Sequence, residues 1–364
     1  MVEWKKICDS CKTITPPKKL EKEFYNNVGS FPIIDQGQKE IVGYTDDKSA
    51  LIPNGDYTLF GDHTRYVKFY SGQFAQGADG LKILRTIDHI LPRYFFYAFS
   101  NTEVPSRGYS RHWSIAKELL IPIPSLQEQE RIVGILDTFT SSIDNLKQQI
   151  AQRRKQYEYY RDQLLDFEGK DEKDIHTWGE FCEMIKGNGV QKVDFVDEGV
   201  GCIHYGQIYT HYGPYTYETN KFVSQEVFEN ARKASKGDII MTDTSENVED
   251  ICKSVAYLGE DDIAVSNHAL IIKHKQNPKF LSFSTQTKSF FLQKRKVVVG
   301  VKVSGIKPEH LAQIRIYLPS LSEQERIVDI LDKFETSIQN LEAQLSQREK
   351  QYEYYRNKLL TFED

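Results

Sequence analysis

A chain of 364 residues, 39% hydrophobic and 27% charged with a net charge of −5, is long enough for two cored domains and too apolar to be disordered. No apolar run approaches the roughly 20 residues that span a bilayer, and the opening MVEWKKICDSCK carries charges where a signal peptide needs an apolar stretch. Five scattered cysteines form no disulfide framework, which predicts a reducing cytoplasm and no membrane partner. Cys8 and Cys11 make a lone CxxC without the second ligand pair of a zinc site or the βαβ setting of a redox motif, so they read as ordinary thiols and no metal is expected.

Residues 1–121 form the first globular segment. Short β-branched or apolar runs between turn signals, SFPIIDQG, GDYTLFGD and RYVKFY, predict strands. Three polar loop clusters lie among them: Gly61–Arg65, Ala75–Gly80 and Arg107–Arg111. Glycine lets backbone approach a ligand, and Arg, Gln, Asn and Ser/Thr read base edges or grip phosphates. The candidates here are His63, Arg65, Gln76, Arg107, Tyr109 and Arg111.

Residues 122–168 read as a long helix. Ser125 and Glu128 have capping-box spacing behind Pro124. Larger side chains then recur in steps of four and three: Ile132, Leu136, Phe139, Ile143, Leu146, Ile150, Arg153, Tyr157, Tyr160, Leu164 and Phe167. A strict 3.5-residue period over five heptads is the pattern of a coiled coil.

A linker at 169–177 leads to a second globular segment, 178–318. GDIIMTD, HALIIKH and KVVVGVKV predict strands, and five polar clusters supply further DNA-contact candidates. These are Lys186, Asn188, Gln191 and Lys192; Tyr205 and Gln207; Thr242 and Thr244; Asn267 and His268; and Lys294, Arg295 and Lys296. Trp4 and Cys8 have the spacing of Trp178 and Cys182, which predicts that these pairs open the two segments in the same way.

Residues 319–364 repeat the helix. Aligned without a gap, Pro124–Glu168 and Pro319–Glu363 are identical at 31 of 45 positions. The second seam is Ile327, Leu331, Phe334, Ile338, Leu341, Leu345, Arg348, Tyr352, Tyr355, Leu359 and Phe362. Each helix alone would expose its seam to water, and the obvious partner is the other copy. The heptads leave the direction of pairing open; the short linker followed by a domain-sized segment favours an antiparallel return. The predicted fold is therefore α+β: two globular domains rich in β-structure, separated by two long helices in an antiparallel coiled coil with pseudo-two-fold symmetry. Tyr159 and Tyr354 fall outside the seam, where an amphipathic ring suits a protein interface.

No phosphate loop, dinucleotide fingerprint, HExxH or GxSxG occurs, and no catalytic residue is assigned. Charge by segment is +2 for 1–120, 0 for 178–318 and negative in the repeats and linker, so neither globular segment opposes a polyanion. The repeated PSLxEQERIVxILD and QYEYYRxxLLxF, with FGDHTRYVKF, AQGADG, GYSRHW, CIHYGQIY, KGDIIMTDTSE and GIKPEHLAQIRIYLP, resemble the specificity subunits of type I restriction–modification systems over the whole chain. Only three residues precede Trp4, a departure from the family's N-terminal region.

The resemblance implies two target-recognition domains, each reading half of a bipartite, asymmetric site on double-stranded DNA. It also implies two conserved helical regions that dock two methyltransferase subunits, with restriction subunits joining them. S-adenosylmethionine and ATP with magnesium would belong to those partners and not to this chain. The reading of another class is a coiled-coil scaffold with two protein-binding domains and no DNA specificity; a third is a cryptic nuclease or methyltransferase. A gel shift on random DNA separates reader from scaffold, and methyl transfer by the chain alone would reject the non-catalytic reading.

Overall fold

The computed structural model describes residues 2–78, 80–108, 110–298 and 304–362. The chain divides into two compact units, Met1–Gln148 with Glu342–Asp364, and Gln149–Leu341. Each unit contains a globular part and a portion of both long helices, Leu126–Leu165 and Leu321–Leu360.

In the first unit a six-stranded sheet runs in the order Cys11–Ile14, Leu81–Thr86, Leu51–Gly61, Val67–Gln76, Phe31–Ile34, Gly43–Thr45. Its pairings are antiparallel except that Phe31–Ile34 joins Val67–Gln76 in parallel. Alternation along the central strand feeds two cores: Leu59 packs with Ile52, Phe74 and Ile83, and Phe60 with Phe95 and Phe99 of the Pro92–Ser100 helix. Pro92, at the first helical position, costs that helix no hydrogen bond.

The second unit has two five-stranded sheets. One is ordered Cys182–Lys186, Ala269–His274, Ile239–Thr242, Ser254–Tyr257, Tyr215–Thr216; the other Phe195–Val196, Lys221–Val223, Val200–Ile203, Ile263–Val265, Arg232–Ala234. Its central strand alternates in the same way. Ile239 and Met241 enter one core with Phe280 and Phe283, and Ile240 enters another with Val255 and Ile271. Of the stretch KVVVGVKV, Lys296 and Val297 end the helix Lys288–Val297, so the predicted strand does not begin there; positions 299–303 lie outside the described residues.

Both units open with a strand, one helical turn and a second strand: Glu3–Lys6, Ile7–Ser10 and Cys11–Ile14; then Ile175–Thr177, Trp178–Phe181 and Cys182–Lys186. The first strand pairs antiparallel with the one that leads into the long helix, Lys5 opposite Ile121 and His176 opposite Ile316. That register corrects the tryptophan echo. The partner of Trp178 in the plan is Ile7, both wholly buried, and the partner of Cys182 is Cys11; Trp4 is 47% exposed. Both thiols donate to the carbonyl four residues back, Cys11 to Ile7 at 3.2 Å and Cys182 to Trp178 at 2.8 Å. Strand pairing sets the equivalence, and the matching letters three residues earlier were coincidental.

The long helices have 40 residues each, about 60 Å at 1.5 Å per residue. They end at Leu165 and Leu360, so Phe167 and Phe362 pack from beyond the helix and not along a continuing seam. The serines cap as expected, Glu128 and Glu323 each donating N–H to Ser125 or Ser320 Oγ at 3.4 Å. The glutamates do not close the box: their carboxylates fork onto Arg131 (2.6 and 2.8 Å) and Arg326 (2.7 and 2.8 Å), because guanidinium is the stronger partner.

Pairing of the helices is antiparallel in each unit. In the first, Phe139 stacks on Tyr355 (5.3 Å), the Arg348 guanidinium lies 5.7 Å from the Phe139 ring, and Lys147 reaches Glu349 (3.3 Å). In the second, Phe334 stacks on Tyr160 (5.5 Å) and Arg153 lies 5.8 Å from the Phe334 ring. Leu136, Ile143, Ile150, Tyr157, Leu331 and Ile338 are buried. Phe139, Leu146, Leu164, Phe334, Leu341, Leu345, Tyr352 and Leu359 are half-buried, while Tyr160 and Tyr355 keep 44% and 40% of their surface. The most buried residue of each exit is instead Leu165 or Leu360, since the helix ends pack on the globular parts as well as on each other.

One buried glutamine ties each helix start to its globular part. Gln129 donates to the carbonyls of Pro124 (2.9 Å) and His89 (3.1 Å) and accepts from Leu91 N–H (2.9 Å). Gln324 donates to Pro319 O (2.8 Å) and Gln276 Oε1 (2.9 Å) and accepts from Asn277 N–H (3.0 Å). Two turns on, Arg93 meets Asp137 (2.8 Å) and Lys279 meets Asp332 (2.7 Å). Because both glutamines are fully buried, Gln129→Ala or Gln324→Ala leaves two or three polar groups without partners, and each variant is expected to lose about 3 kcal/mol in urea denaturation.

Candidate nucleic-acid interface

The three loop clusters of the first unit converge on Asp62, which is 2% exposed. Its N–H donates to Gly80 O (2.6 Å), and its carbonyl accepts from His112 N–H (2.8 Å) and lies 2.9 Å from His112 Nδ1. Asp62 Oδ1 accepts from Trp113 N–H at 2.7 Å. His112 Nε2 accepts from Arg107 N–H (3.1 Å), so the ring carries its proton on Nδ1, facing the carbonyl. Gly80 is needed at its corner: its φ is +96° and a Cβ would stand 2.6 Å from the Gln36 side chain.

Around this knot the side chains of Arg65, Arg107 and Arg111 are exposed, and His63 is half-exposed. Arg65 takes a left-handed φ of 63° and donates to Val104 O at 2.9 Å. Gln76 does not belong to the surface. It is 1% exposed because this end of its strand is covered on both faces, Phe74 and Ala75 being buried as well, and it is withdrawn as a DNA contact. Tyr109 lies outside the described residues.

In the second unit four of the five clusters form a comparable knot around Asp243, 4% exposed. Asp243 N–H donates to His268 O (3.1 Å) and its carbonyl accepts from Ile306 N–H (3.0 Å). Lys186 Nζ lies 3.1 Å from Asp243 Oδ2. Asn267 Oδ1 accepts from Gly189 N–H (3.1 Å), Asn188 Oδ1 from Arg232 N–H (2.8 Å), and Ser266 Oγ from Tyr205 N–H (2.8 Å). Gln191 and Lys192 are exposed beside the loop, and Thr244 is half-exposed in a short strand, Thr244–Ser245. A cleft of about 520 Å³ opens here, lined by Tyr205, Tyr209, Thr244, Asn247 and His268 among others.

Three candidates of this unit prove structural. Thr242 is fully buried and donates to Lys253 O (3.3 Å). Gln207, 9% exposed, caps its own helical turn by accepting from His204 N–H (2.8 Å) and donates to Asn220. Lys294 is 5% exposed and its ammonium is taken by the carbonyls of Ile251 (2.6 Å) and Glu249 (2.9 Å); burial holds its pKa below the usual lysine range. Arg295 and Lys296 next to it are exposed. Burial, with Lys192 and His268 nearby, holds the His204 imidazole below its ordinary range, which suits Nδ1 as acceptor from Gly206 N–H (3.1 Å).

Sequence reasoning missed the two aspartates, although GDYTLFGD and GDIIMTD present them at the same strand end. The lone CxxC places Cys8 half-exposed and Cys11 buried, with burial pushing the Cys11 thiol up to about 12. Among the described residues no group of three or more His, Cys, Asp or Glu is arranged for a metal, and no helix is long and apolar enough to cross a membrane. Tyr159 and Tyr354 stand 58% and 59% exposed, each edge-on to its neighbouring Tyr160 or Tyr355 at 5.3 Å.

Comparison with known proteins agrees along the chain. The family model described as Type I restriction modification DNA specificity domain matches residues 1–153 and 171–349. The Type I restriction enzyme EcoR124I/EcoR124II specificity subunit of Escherichia coli is 28% identical over 393 residues, covering 99% of this chain and 94% of that protein. A putative type I restriction enzyme specificity subunit of Haemophilus influenzae is 26% identical over 395 residues, covering 99% and 96%. The crystal structure of a type I restriction–modification S subunit from M. genitalium shares the fold, with a TM-score of 0.61 at 16% identity over 100% of this chain and 97% of that one.

If Asp62 holds the first knot together, Asp62→Ala removes the acceptor of Trp113 N–H and loosens the attachment of the Arg107–Arg111 loop. Hydrogen exchange is expected to show faster exchange at Trp113 and Arg107, with the sheet amides of Leu81–Thr86 still protected.

Proposed function

Because the chain belongs to the type I restriction–modification DNA specificity family, a non-catalytic class of DNA-recognition subunit, we propose that its two units read the two halves of a split, asymmetric target. The observation that supports this reading is one scaffold carrying two different rims. Both units close their central strand with a buried aspartate that gathers glycine-rich loops, yet the side chains presented differ: Arg65, Arg107 and Arg111 in one, Lys186, Asn267, His268 and Tyr205 in the other. Arginine and lysine supply phosphate contacts and thus salt-dependent affinity; Asn, His and the remaining Arg supply base-edge readout in the major groove. Methyltransferase and restriction subunits are the partners of this family, and the DNA substrate locates its work in the cytoplasm.

The paired helices act as the ruler between half-sites. Removing one heptad from each, residues 146–152 and 341–347, takes away about 10 Å of helix. Mapping of modified bases in a host carrying this variant is expected to show both half-sites unchanged and a shorter unread spacer. An unchanged spacer would dismiss the ruler.

Two methyltransferase subunits dock on the equivalent tyrosine patches at Tyr159 and Tyr354. Truncating both to Ala is expected to weaken methyltransferase binding at least tenfold by calorimetry, with an unaltered circular dichroism spectrum, since a central aromatic anchor contributes about 2 kcal/mol. Undiminished assembly would remove these residues from the interface.

A further inference from the structure

The two aspartates share backbone partners but not side-chain partners. Asp62 Oδ1 accepts from Trp113 N–H, and its Oδ2 lies 3.8 Å from Lys82 Nζ. Asp243 also meets a lysine, but from a different strand, Lys186 at 3.1 Å from Oδ2, and among the described residues its buried Oδ1 accepts no hydrogen bond. The group facing that oxygen is His268, with Nδ1 3.9 Å away.

His268 sits at the corner where the first unit has Gly80, each residue's carbonyl receiving the aspartate N–H. Both corners are left-handed, φ +96° at Gly80 and +64° at His268. Glycine adopts this conformation freely; histidine does so at a cost. The imidazole is not recruited into a core: its side chain is 52% exposed, and it meets Tyr205 edge-on at 5.4 Å. A strained corner, a buttressed exposed ring and a buried carboxylate oxygen behind it with no hydrogen bond among the described residues are three separate features at one place. Together they fit a group held ready for a ligand better than one serving the fold.

We infer that His268 is a base-reading residue of the second unit and that Asp243 is its positioning residue, the pair recognising guanine. The inference rests on the DNA-reading assignment above. Guanine reading uses the ring with a proton on each nitrogen: Nδ1–H faces Asp243 Oδ1 and Nε2–H donates outward. Guanine offers N7 and O6 as adjoining acceptors, whereas adenine sets an amino donor beside N7, so guanine is the base that fits. Lys186, 3.1 Å from the other carboxylate oxygen, holds Asp243 in place from the far side.

The test uses the full chain with its methyltransferase subunits on the target mapped by base modification, and on that target with the second half-site guanine replaced. His268→Gly is expected to bind the mapped target about tenfold more weakly, the two DNAs becoming nearly equal, while Tm stays within about 2 °C of the parent or rises. Asp243→Asn, which preserves the backbone hydrogen bonds, is expected to show the same loss of discrimination. Equal weakening on both DNAs with a shallower salt dependence would mean a phosphate contact and overturn base reading. A fall in Tm of more than about 4 °C for His268→Gly would make the residue structural. Full discrimination in Asp243→Asn would remove its positioning role. If the parent complex itself does not distinguish the two DNAs from random sequence, the DNA-reading assignment fails; if it does and His268→Gly does too, only this inference fails.

Discussion

Burial of the apolar seam along two 40-residue helices is the constraint on which this molecule is built. A helix of that length with one apolar stripe is not stable alone in water, because most helical stability in proteins comes from packing the amphipathic face. Here the partner is written into the same chain. The pairing is antiparallel in each unit, so one geometry appears twice: Phe139 on Tyr355 under Arg348, and Phe334 on Tyr160 under Arg153. Since each compact unit includes portions of both helices, neither globular part can be detached without exposing seam.

The duplicated motif then becomes intelligible residue by residue. In PSLxEQER the serine caps the helix, the Glu–Arg pair closes its first turn, and the glutamine enters the globular core to satisfy a loop. Isoleucine three positions beyond that glutamine, Ile132 or Ile327, is buried to 0% or 1%. In QYEYYR the first tyrosine packs inward, the last stacks across the helix pair, and the arginine lies over the first ring, at 5.6 Å in both copies. The middle tyrosine has no such task and stands in solvent. Repetition of the motif reflects a joint that must be made twice, since both globular parts need the same fixing to their helix.

Heptads and caps are local signals, and the helices, their duplication and the fold class were legible from them. Register across a sheet is not local, so Trp4 was matched to Trp178 when the pairing of Lys5 with Ile121 makes Ile7 its counterpart. The same limit decided the polar candidates. Gln76, Thr242, Gln207 and Lys294 look like contact residues by type, but each is buried, and only a tertiary partner reveals that. Lys294 is instructive: an ammonium is not expected inside unless carbonyls receive it, and Glu249 and Ile251 supply two. Conversely, Asp62 and Asp243 were visible as the ends of two GD-containing strands, yet nothing local says that one carboxylate is completed by Trp113 and the other is not.

That difference bears on how one scaffold supports two readings. The repeated joint demands the same atoms in both units, and the residues that make it scarcely differ between copies. At the knot, only the backbone of the aspartate is engaged alike, by a carbonyl before one strand and an N–H before a helical turn. The partners of its carboxylate differ, Trp113 N–H in the first unit and Lys186 in the second, and so does the residue at the corner. At that corner Gly80 lies against the Gln36 side chain in the first unit, where arginines crowd the rim; in the second His268 projects an exposed ring, at the expense of backbone strain. Variation in a reader can thus be placed at the corner and in the partners of the carboxylate, while the main-chain hydrogen bonds of the aspartate remain common to both units.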